Sequence, residues 1–304
     1  MDTMDAIAGY LFVTFSGEEK DGEQIYFALS RDGLHWKDLY KGKPVLCSDI
    51  GKKGVRDPFL LRSRDGDQYY LIATDLRIAS GIGWEEAVRC GSHAVIVWES
   101  RDLLHWSAAR ACLVGPKDAG CVWAPKAVYD RTKDAYMMFW ASFVEEKHRI
   151  YYAYTKDFIS FTAPGVYLER DYDVIDLTIV HSGEKFYRFY KNEVRSTICM
   201  DCGKDLHGEF REIDAPKLAH MKGVEGPAPF PLKDGRWCLL VDRFAVNGGY
   251  LPLICDNLSE DFRALEEDGY DLGQLRKRHG SVLTLTAKEY ELLEQSDCRA
   301  RGRA

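Results

Sequence analysis

The sequence predicts an all-β protein, a five-bladed β-propeller whose ring is closed by N-terminal strands that complete the last blade. Short apolar runs bounded by Gly, Asp or Asn turns recur along the chain, such as YLFVTF (10–15) and RWCLLVD (236–242). The runs form a weak internal repeat. Four units of this repeat, each built of two hairpins, start near residues 57, 123, 176 and 225. A fifth unit opens at His279 with the single strand SVLTLT.

Each unit has the pattern strand, turn, strand, loop, strand, turn, strand. The start points of successive units are 66, 53, 49 and 54 residues apart, a spacing typical of propeller blades. Three strands end in Ser/Thr-x-Asp with an aromatic residue four positions after the Asp, at 30–36, 100–106 and 155–161. The Asp side chain can accept backbone N–H bonds in a tight turn, so these motifs predict turns inside the sheets.

The missing strands of the fifth unit are found at the N-terminus. YLFVTF, QIYFALSRDGLHW and the KPVL segment (43–46) are predicted as strands two to four of the last blade. We therefore expect residues 10–40 to pair with the strand at 281–286, which closes the ring and removes exposed sheet edges. One good helical pattern, TAKEYELLEQ, lies near the end. The alternative architecture is a β-sandwich followed by a second domain.

Composition limits the classes of protein. The 304 residues are predicted to form one propeller domain over 1–304, with an ordered core of about 9–292 and no accessory β-sandwich. The net charge is −7 and no basic stripe stands out, so nucleic acid is not an expected partner. The apolar runs are too short for a membrane span, and no membrane partner is expected. An acidic N-terminus without a signal-peptide pattern and nine cysteines predict a cytoplasmic location, and the oligomeric state stays open.

The starts of the five innermost strands carry three carboxylates. They read GVRDPF, CVWAPK, VIDLTI, VEGPAP and RHGSVL, and they contain Asp57, Asp176 and Glu225 at positions expected to be equivalent. Innermost strands converge on the propeller axis, and burying isolated charges is unfavourable, so the three predict one shared site. Glycoside hydrolysis needs such a set, because one carboxyl must donate a proton while another stays ionised. A third can raise the pKa of the proton donor by repulsion.

These starts also resemble a known family. RDPFLL, IDLTIV and VEGPAPF, with WAP at 123–125 and RHG at 278–280, are similar to glycoside hydrolase family 43, and the resemblance covers residues 9–292. It implies a five-bladed propeller and an inverting mechanism. It implies an oligosaccharide substrate, from which the enzyme removes a terminal pentose, α-L-arabinofuranose or β-D-xylose, of plant cell-wall polysaccharides.

The resemblance also implies roles for individual residues. Asp57 matches the general base, Asp176 the carboxylate that tunes and orients the acid, and Glu225 the general acid. His279 matches a histidine under the site, where some members hold a calcium ion or a water cluster. A structural Ca²⁺ near His279 is therefore an expectation, and no other cofactor is expected.

Three further residues are candidates for sugar binding. Trp123 of WAP is expected to line the cleft, and Trp84 in the Gly-rich loop 79–92 to cap it, with surface packing as the alternative. Arg278 is expected to bond sugar hydroxyls, with a salt bridge as the alternative. Lys126, after WAP, departs from the residues usual in the family, and five other histidines, including His148, show no ligand spacing and are treated as ordinary.

Other functions stay open. A retaining fructan hydrolase of the invertase type shares RDP, but its N-terminal nucleophile motif and its Glu-Cys acid pair are missing. A sialidase needs an arginine triad and a tyrosine nucleophile. A non-catalytic carbohydrate-binding propeller has no need to gather three carboxylates. The sugar, the linkage and the choice between exo and endo action depend on loops that the sequence does not specify.

Overall fold

Five four-stranded antiparallel sheets form the blades of a propeller in the computed structural model, which describes residues 7–302. In blades 1 to 4 the chain runs from the innermost strand outwards. Blade 1 contains β4 (Val55–Arg62), β5 (Tyr69–Asp75), β6 (Ala94–Ser100) and β7 (Arg110–Leu113). Blade 2 contains β8 (Trp123–Asp130), β9 (Ala135–Val144), β10 (Lys147–Thr155) and β11 (Gly165–Leu168). Blade 3 contains β12 (Val174–Ser182), β13 (Lys185–Asn192), β14 (Thr197–Gly203) and β15 (Phe210–Glu212). Blade 4 contains β16 (Glu225–Pro231), β17 (Trp237–Asp242), β18 (Tyr250–Cys255) and β19 (Arg263–Ala264).

Blade 5 joins the two ends of the chain. It contains β20 (Arg278–Leu285), β1 (Gly9–Phe15), β2 (Tyr26–Ser30) and β3 (Trp36–Asp38), in that order from the axis. β1 pairs with β20 along its whole length, which confirms the predicted closure.

The prediction of KPVL as the fourth strand of blade 5 is wrong. The fourth strand is β3, and the KPVL segment makes only an isolated bridge between Ile25 and Leu46. The backbone at Tyr40 and Lys41 takes left-handed φ angles of 52° and 59°. Two such residues in succession turn the chain away from the sheet before KPVL begins.

Between residues 7 and 302, three α-helices accompany the blades: α1 (Trp84–Arg89), α2 (Pro216–His220) and α3 (Ala287–Gly302). α3 contains the predicted helical pattern and begins with a capping box, in which Thr286 N donates to Glu289 Oε2 at 2.7 Å. Its Tyr290 and Leu293 pack into the core between blades 5 and 1. Within the described residues, no helix is long and apolar enough to cross a membrane.

The core consists of five apolar clusters, one at each interface between neighbouring blades. β1 shows why its run is apolar at every position. Leu11 and Val13 face blade 1, whereas Tyr10 and Phe12 face blade 4. Side chains alternate between the two faces of a strand, and both faces are covered here.

The Ser/Thr-x-Asp motifs form the predicted turns. In the first, Asp32 Oδ1 accepts the backbone N–H groups of Leu34 at 2.9 Å and His35 at 2.8 Å, while Trp36 is buried. The motifs at 100–106 and 155–161 bond in the same way. The local turn chemistry therefore fixes where the outer strands begin.

Candidate active site

A β-bulge near the start of each innermost strand presents the candidate residues. Two residues of the innermost strand lie opposite one residue of the next strand at this point in every blade. In blades 1 to 4 the first of the two has a left-handed backbone, and the residues with their φ angles are Asp57 (52°), Ala124 (49°), Asp176 (59°) and Gly226 (57°). Asp is among the non-glycine residues that adopt this conformation most readily. The bulge thus turns two carboxylates towards the axis.

The expectation that all three carboxylates hold equivalent positions is wrong for Glu225. It lies one residue before the bulge, and the bulge position of blade 4 is Gly226. Its register equivalents in the other blades are Arg56, Trp123, Ile175 and Arg278. A side chain at Gly226 would collide with His279, since its Cβ would lie 2.7 Å from the imidazole Cγ. The carboxylate of blade 4 therefore stands one position earlier.

All seven predicted site residues line one cavity of about 580 Å³ at this end of the channel. They are Asp57, Trp84, Trp123, Asp176, Glu225, Arg278 and His279. The volume falls in the range of small-molecule sites, about 300–1,000 Å³. The fold therefore brings the predicted residues together in one cavity, and the structure adds the contacts among them.

A second depression, of about 600 Å³, lies at the outer edge of blade 4 between α2 and β19. It contains one carboxylate, Asp261, which accepts the backbone N–H of Lys217 at 3.0 Å. One carboxylate that already has a partner does not provide the acid and base pair that hydrolysis requires.

Asp57 and Asp176 approach the same imidazole. His279 Nδ1 lies 3.3 Å from Asp57 Oδ1 and 3.7 Å from Asp176 Oδ2. Thr74 Oγ1 donates to the other oxygen of Asp57 at 2.8 Å. Burial opposes the ionisation of Asp57, but His279, the Arg56 charge and the Thr74 hydroxyl outweigh it and lower its pKa to about 2. Asp57 is therefore an ionised carboxylate at neutral pH.

Asp176 is tied to the backbone beside Glu225. Its Oδ2 accepts the N–H of Gly226 at 3.0 Å. The carbonyl of the same glycine accepts the Tyr250 hydroxyl at 2.7 Å. These bonds hold Gly226 on both sides, and Asp176 thereby positions the backbone next to Glu225.

Glu225 contacts two cations. Lys191 Nζ donates to its Oε2 at 3.0 Å, and Arg278 Nη2 to its Oε1 at 3.2 Å. The guanidinium of Arg278 also donates through Nε to Asp242 Oδ2 at 2.6 Å. Burial raises the pKa of Asp242, and the contact with Arg278 opposes that rise. Arg278 therefore makes a salt bridge and lines the cavity at once.

Lys191 and Glu193 were missed by sequence reasoning. Lys191 lies opposite Ile175 on the neighbouring strand, and its Nζ is 2.7 Å from Glu193 Oε2. Burial raises the pKa of Glu193, Lys191 opposes the rise, and the charges of Asp176 and Glu225 add to it. The available signal was a lysine at the end of the apolar strand KFYRFYKN, next to the strand that carries Asp176.

Aromatic side chains form the walls of the cavity. The rings of Trp84 and Trp123 meet edge to face with centroids 6.2 Å apart, and His148 lies 5.5 Å from Trp123. Phe244 lines the cavity as well, and its ring lies 4.1 Å from Lys191 Nζ. Treating His148 as ordinary missed its place in this wall. Burial lowers the pKa of His148 to about 4, so it is neutral at physiological pH.

Arg56, which precedes Asp57, contacts the ring of Trp84 and, through Glu23, the segment that leads into α1. Its Nη1 lies 2.9 Å from Glu23 Oε1, and its guanidinium lies 5.1 Å from the Trp84 ring. Glu23 is buried and also accepts the backbone N–H groups of Ile78 and Ala79, both at 2.8 Å. One buried carboxylate therefore holds both the cation beside Asp57 and the segment that leads to α1.

The residues around His279 fit a calcium ion poorly. Ca²⁺ takes six to eight oxygen ligands. Among residues 7–302, no group of three or more His, Cys, Asp or Glu side chains is arranged to hold a metal ion. The imidazole offers Nε2, which is buried without a hydrogen-bond partner. A single nitrogen is not the donor set of this ion, and the expected Ca²⁺ stays a prediction without structural support.

A five-bladed propeller with a carboxylate-lined cavity at one end of its channel is typical of a class of glycoside hydrolases. A family model described as a probable glycosyl hydrolase domain, related to glycoside hydrolase family 43, matches residues 5–291. The chain belongs to this family.

A curated relative is the α-L-arabinofuranosidase of Bifidobacterium longum subsp. longum, which is 35% identical over 209 residues. The aligned region is 61% of this chain and 20% of that protein, so the match spans a fifth of the relative's length.

Solved structures share the fold. An endo-1,4-β-xylanase of Bacteroides thetaiotaomicron has a TM-score of 0.57 at 14% identity, over 90% of this chain and 92% of that one. The α-L-arabinofuranosidase of Podospora anserina, in complex with cellotriose, has a TM-score of 0.53 at 11% identity, over 77% and 82%. Identities this low support the fold alone.

Proposed function

We propose that the chain is an inverting glycoside hydrolase that removes a terminal α-L-arabinofuranose or β-D-xylose from oligosaccharides of plant cell-wall polysaccharides. The observation that carries the proposal is the meeting of Asp57, Asp176 and Glu225 in one cavity at the mouth of the propeller channel. The curated relative, an arabinofuranosidase, favours arabinofuranose as the sugar.

Asp57 acts as the general base. It is ionised at neutral pH, and Thr74 and His279 fix its orientation. A water between Asp57 and the anomeric carbon loses its proton to the carboxylate as it attacks. The attack comes from the face opposite to the leaving group, so the configuration inverts.

Glu225 acts as the general acid. Its proton passes to the glycosidic oxygen as the bond to the anomeric carbon breaks. Both of its oxygens accept from cations in the structure, so one of the contacts with Lys191 and Arg278 must open to let an oxygen face the leaving group. Asp176 keeps the peptide after Glu225 in place during that rearrangement.

The cavity suits a neutral sugar. Its three lining cations, Arg56, Lys191 and Arg278, are each paired with a carboxylate. A uronic acid would therefore compete with existing ion pairs. The aromatic walls of Trp84 and Trp123 offer the apolar faces on which the C–H face of a pentose packs.

A panel of nitrophenyl glycosides tests the activity and the stereochemistry together. We expect nitrophenol to be released faster from the α-L-arabinofuranoside than from the β-D-xyloside. Proton NMR in the first minutes should detect the sugar with the anomeric configuration opposite to that of the substrate. If the sugar formed first keeps the anomeric configuration of the substrate, the proposed mechanism is contradicted. If the protein binds sugars but turns over no substrate, a non-catalytic propeller is favoured.

Trp84→Ala should weaken binding without removing catalysis. Trp84 is 48% exposed and meets Trp123 at the cavity wall, so its ring is available to a sugar. We expect KM to rise roughly 2- to 10-fold, the equivalent of about 0.5–1.5 kcal/mol for one aromatic contact, with kcat nearly unchanged. Leu113→Ala is the matched control, since Leu113 is 80% exposed on an outer strand. An unchanged KM in Trp84→Ala would remove Trp84 from the binding site.

A further inference from the structure

Glu23 is a buried carboxylate that has no part in the proposed proton transfers and does not line the cavity. It lies in the loop between β1 and β2 of blade 5, and its side chain is 2% exposed. Its Oε1 accepts both Arg56 Nη1 and the backbone N–H of Ile78, and its Oε2 accepts the N–H of Ala79. Burying a carboxylate is unfavourable unless the charge is paired and hydrogen-bonded, and these three donors meet that need. A residue of blade 5 is thereby bonded to two separate parts of blade 1.

The segment 77–82, which leads to Trp84, depends on two of these bonds. In the part of the chain that the structure describes, the hydrogen bonds from this segment to a blade are the two that Glu23 accepts. A Cβ at Gly81 or Gly83 would meet no atom within 4 Å, so nothing packs closely on that side of the backbone just before Trp84. The other end of α1 forms a salt bridge to blade 2. Glu23 is therefore the polar anchor of the end of α1 that carries the tryptophan.

Arg56 provides a second connection between Glu23 and Trp84. Its guanidinium lies 5.1 Å from the centroid of the Trp84 ring and 4.5 Å from that of Phe15. A guanidinium within about 6 Å of a ring face is attracted to the ring. Glu23 holds this guanidinium at 2.9 Å, and the half-exposed Glu18 holds it at 3.2 Å. The same buried carboxylate therefore acts on Trp84 through its backbone and through its ring.

We propose that Glu23 is a positioning residue for the sugar-binding wall, which sets the affinity for a neutral sugar by fixing Trp84 at the mouth of the cavity. The kinetic part of this inference rests on the proposed hydrolytic function. The placement of the Trp84 ring can be measured without any substrate.

Glu23→Gln is the test substitution, because it keeps the size of the side chain and removes its charge. An amide has one acceptor oxygen, so its NH₂ group must face at least one of the three donors and lose that contact. The matched control is Asp297→Asn. Asp297 is also fully buried, and it also accepts a backbone N–H, that of Tyr40 at 2.8 Å, and contacts a cation, Lys37, at 2.8 Å. It joins α3 to the segment after β3 and does not line the cavity.

In kinetics on the nitrophenyl arabinoside, Glu23→Gln should raise KM roughly 2- to 10-fold, as Trp84→Ala does. Its kcat should change less than its KM, because Arg56 keeps Glu18 as a partner beside the base. In the double variant KM should equal that of Trp84→Ala alone, since both substitutions act on one contact. Asp297→Asn should lower the melting temperature and leave KM at the wild-type value. A folded Glu23→Gln with wild-type KM would overturn the proposal, as would a double variant in which the two effects multiply.

Fluorine NMR of protein labelled with fluorotryptophan follows the Trp84 ring directly. The chain has seven tryptophans, and the signal of Trp84 is the one that disappears in Trp84→Phe. Glu23→Gln should shift or broaden this signal, because the ring loses its fixed surroundings. Asp297→Asn should leave it unchanged. An unchanged Trp84 signal in folded Glu23→Gln would overturn the proposal.

If Glu23→Gln does not fold, amide hydrogen exchange in the wild type decides. The N–H groups of Ile78 and Ala79 should exchange much more slowly than that of Glu85, which lies exposed in the first turn of α1. Exchange of Ile78 and Ala79 as fast as that of Glu85 would overturn the proposal. A wild type without glycosidase activity would refute the proposed function and leave both NMR measurements valid.

Discussion

Asp57→Asn is expected to reduce kcat by a factor on the order of 10²–10⁴ while the fold is retained. The substitution removes the group that takes the proton of the attacking water. Asn tolerates the left-handed backbone that this position requires, where φ is 52°, and its amide oxygen can still accept the Thr74 hydroxyl. The loss should therefore fall on turnover, with the melting temperature within a few degrees of wild type.

The control for this substitution is Asp134→Asn. Asp134 also has a left-handed backbone, with φ of 50°, but it lies in an exposed turn of blade 2. Any effect of placing Asn in this conformation should appear in both variants, and only Asp57→Asn should lose activity. Azide attacks without a general base, so it should restore turnover to Asp57→Asn and give a glycosyl azide of inverted configuration. Failure of azide, together with an equal loss in Asp134→Asn, would contradict the role as base.

The low pKa of Asp57 also sets the pH dependence. The pKa is about 2 in the folded protein, below the usual value of about 3.9 for an unfolded chain. A depressed folded pKa contributes stability above the unfolded pKa, and that contribution disappears as the pH falls towards 2. If kcat/KM falls at low pH with a midpoint above about pH 4, the group that titrates there is not Asp57.

Much of the fold could be predicted from the sequence because each blade repeats one physical pattern. Strands with both faces covered are apolar at every position, as in β1, and Ser/Thr-x-Asp turns mark where outer strands begin. KPVL was misplaced because apolar composition does not reveal the two left-handed residues before it. Backbone conformation at Tyr40 and Lys41 is a property of the folded chain.

The candidate site was predictable where it is built from the starts of innermost strands, and not elsewhere. Those starts are short motifs in a fixed order, so the residues they carry converge on the axis. The offset between Glu225 and Asp57 was not visible, because a bulge shifts the register by one residue without changing the apolar pattern. Lys191 and Phe244 come from a second strand and a loop, whose distance from the motif varies between blades.

Glu225→Gln is expected to lose turnover in proportion to how much the leaving group needs a proton. On an alkyl or oligosaccharide glycoside, the loss should be on the order of 10² or more, because the departing oxygen is a strong base. On a dinitrophenyl glycoside it should be small, since that leaving group departs as a stable anion. The ratio of the two losses isolates proton donation from any general damage to the site.

Glu193→Gln is the comparison that assigns the proton donor. Glu193 and Glu225 contact the same ammonium of Lys191, at 2.7 Å and 3.0 Å, and both line the cavity. Burial raises the pKa of Glu193, so this group holds a proton more readily than a free glutamate does. If Glu225 is the acid, Glu193→Gln should lose less activity, and by the same factor on both leaving groups. A loss that depends on the leaving group in Glu193→Gln, with equal losses in Glu225→Gln, would transfer the acid role to Glu193.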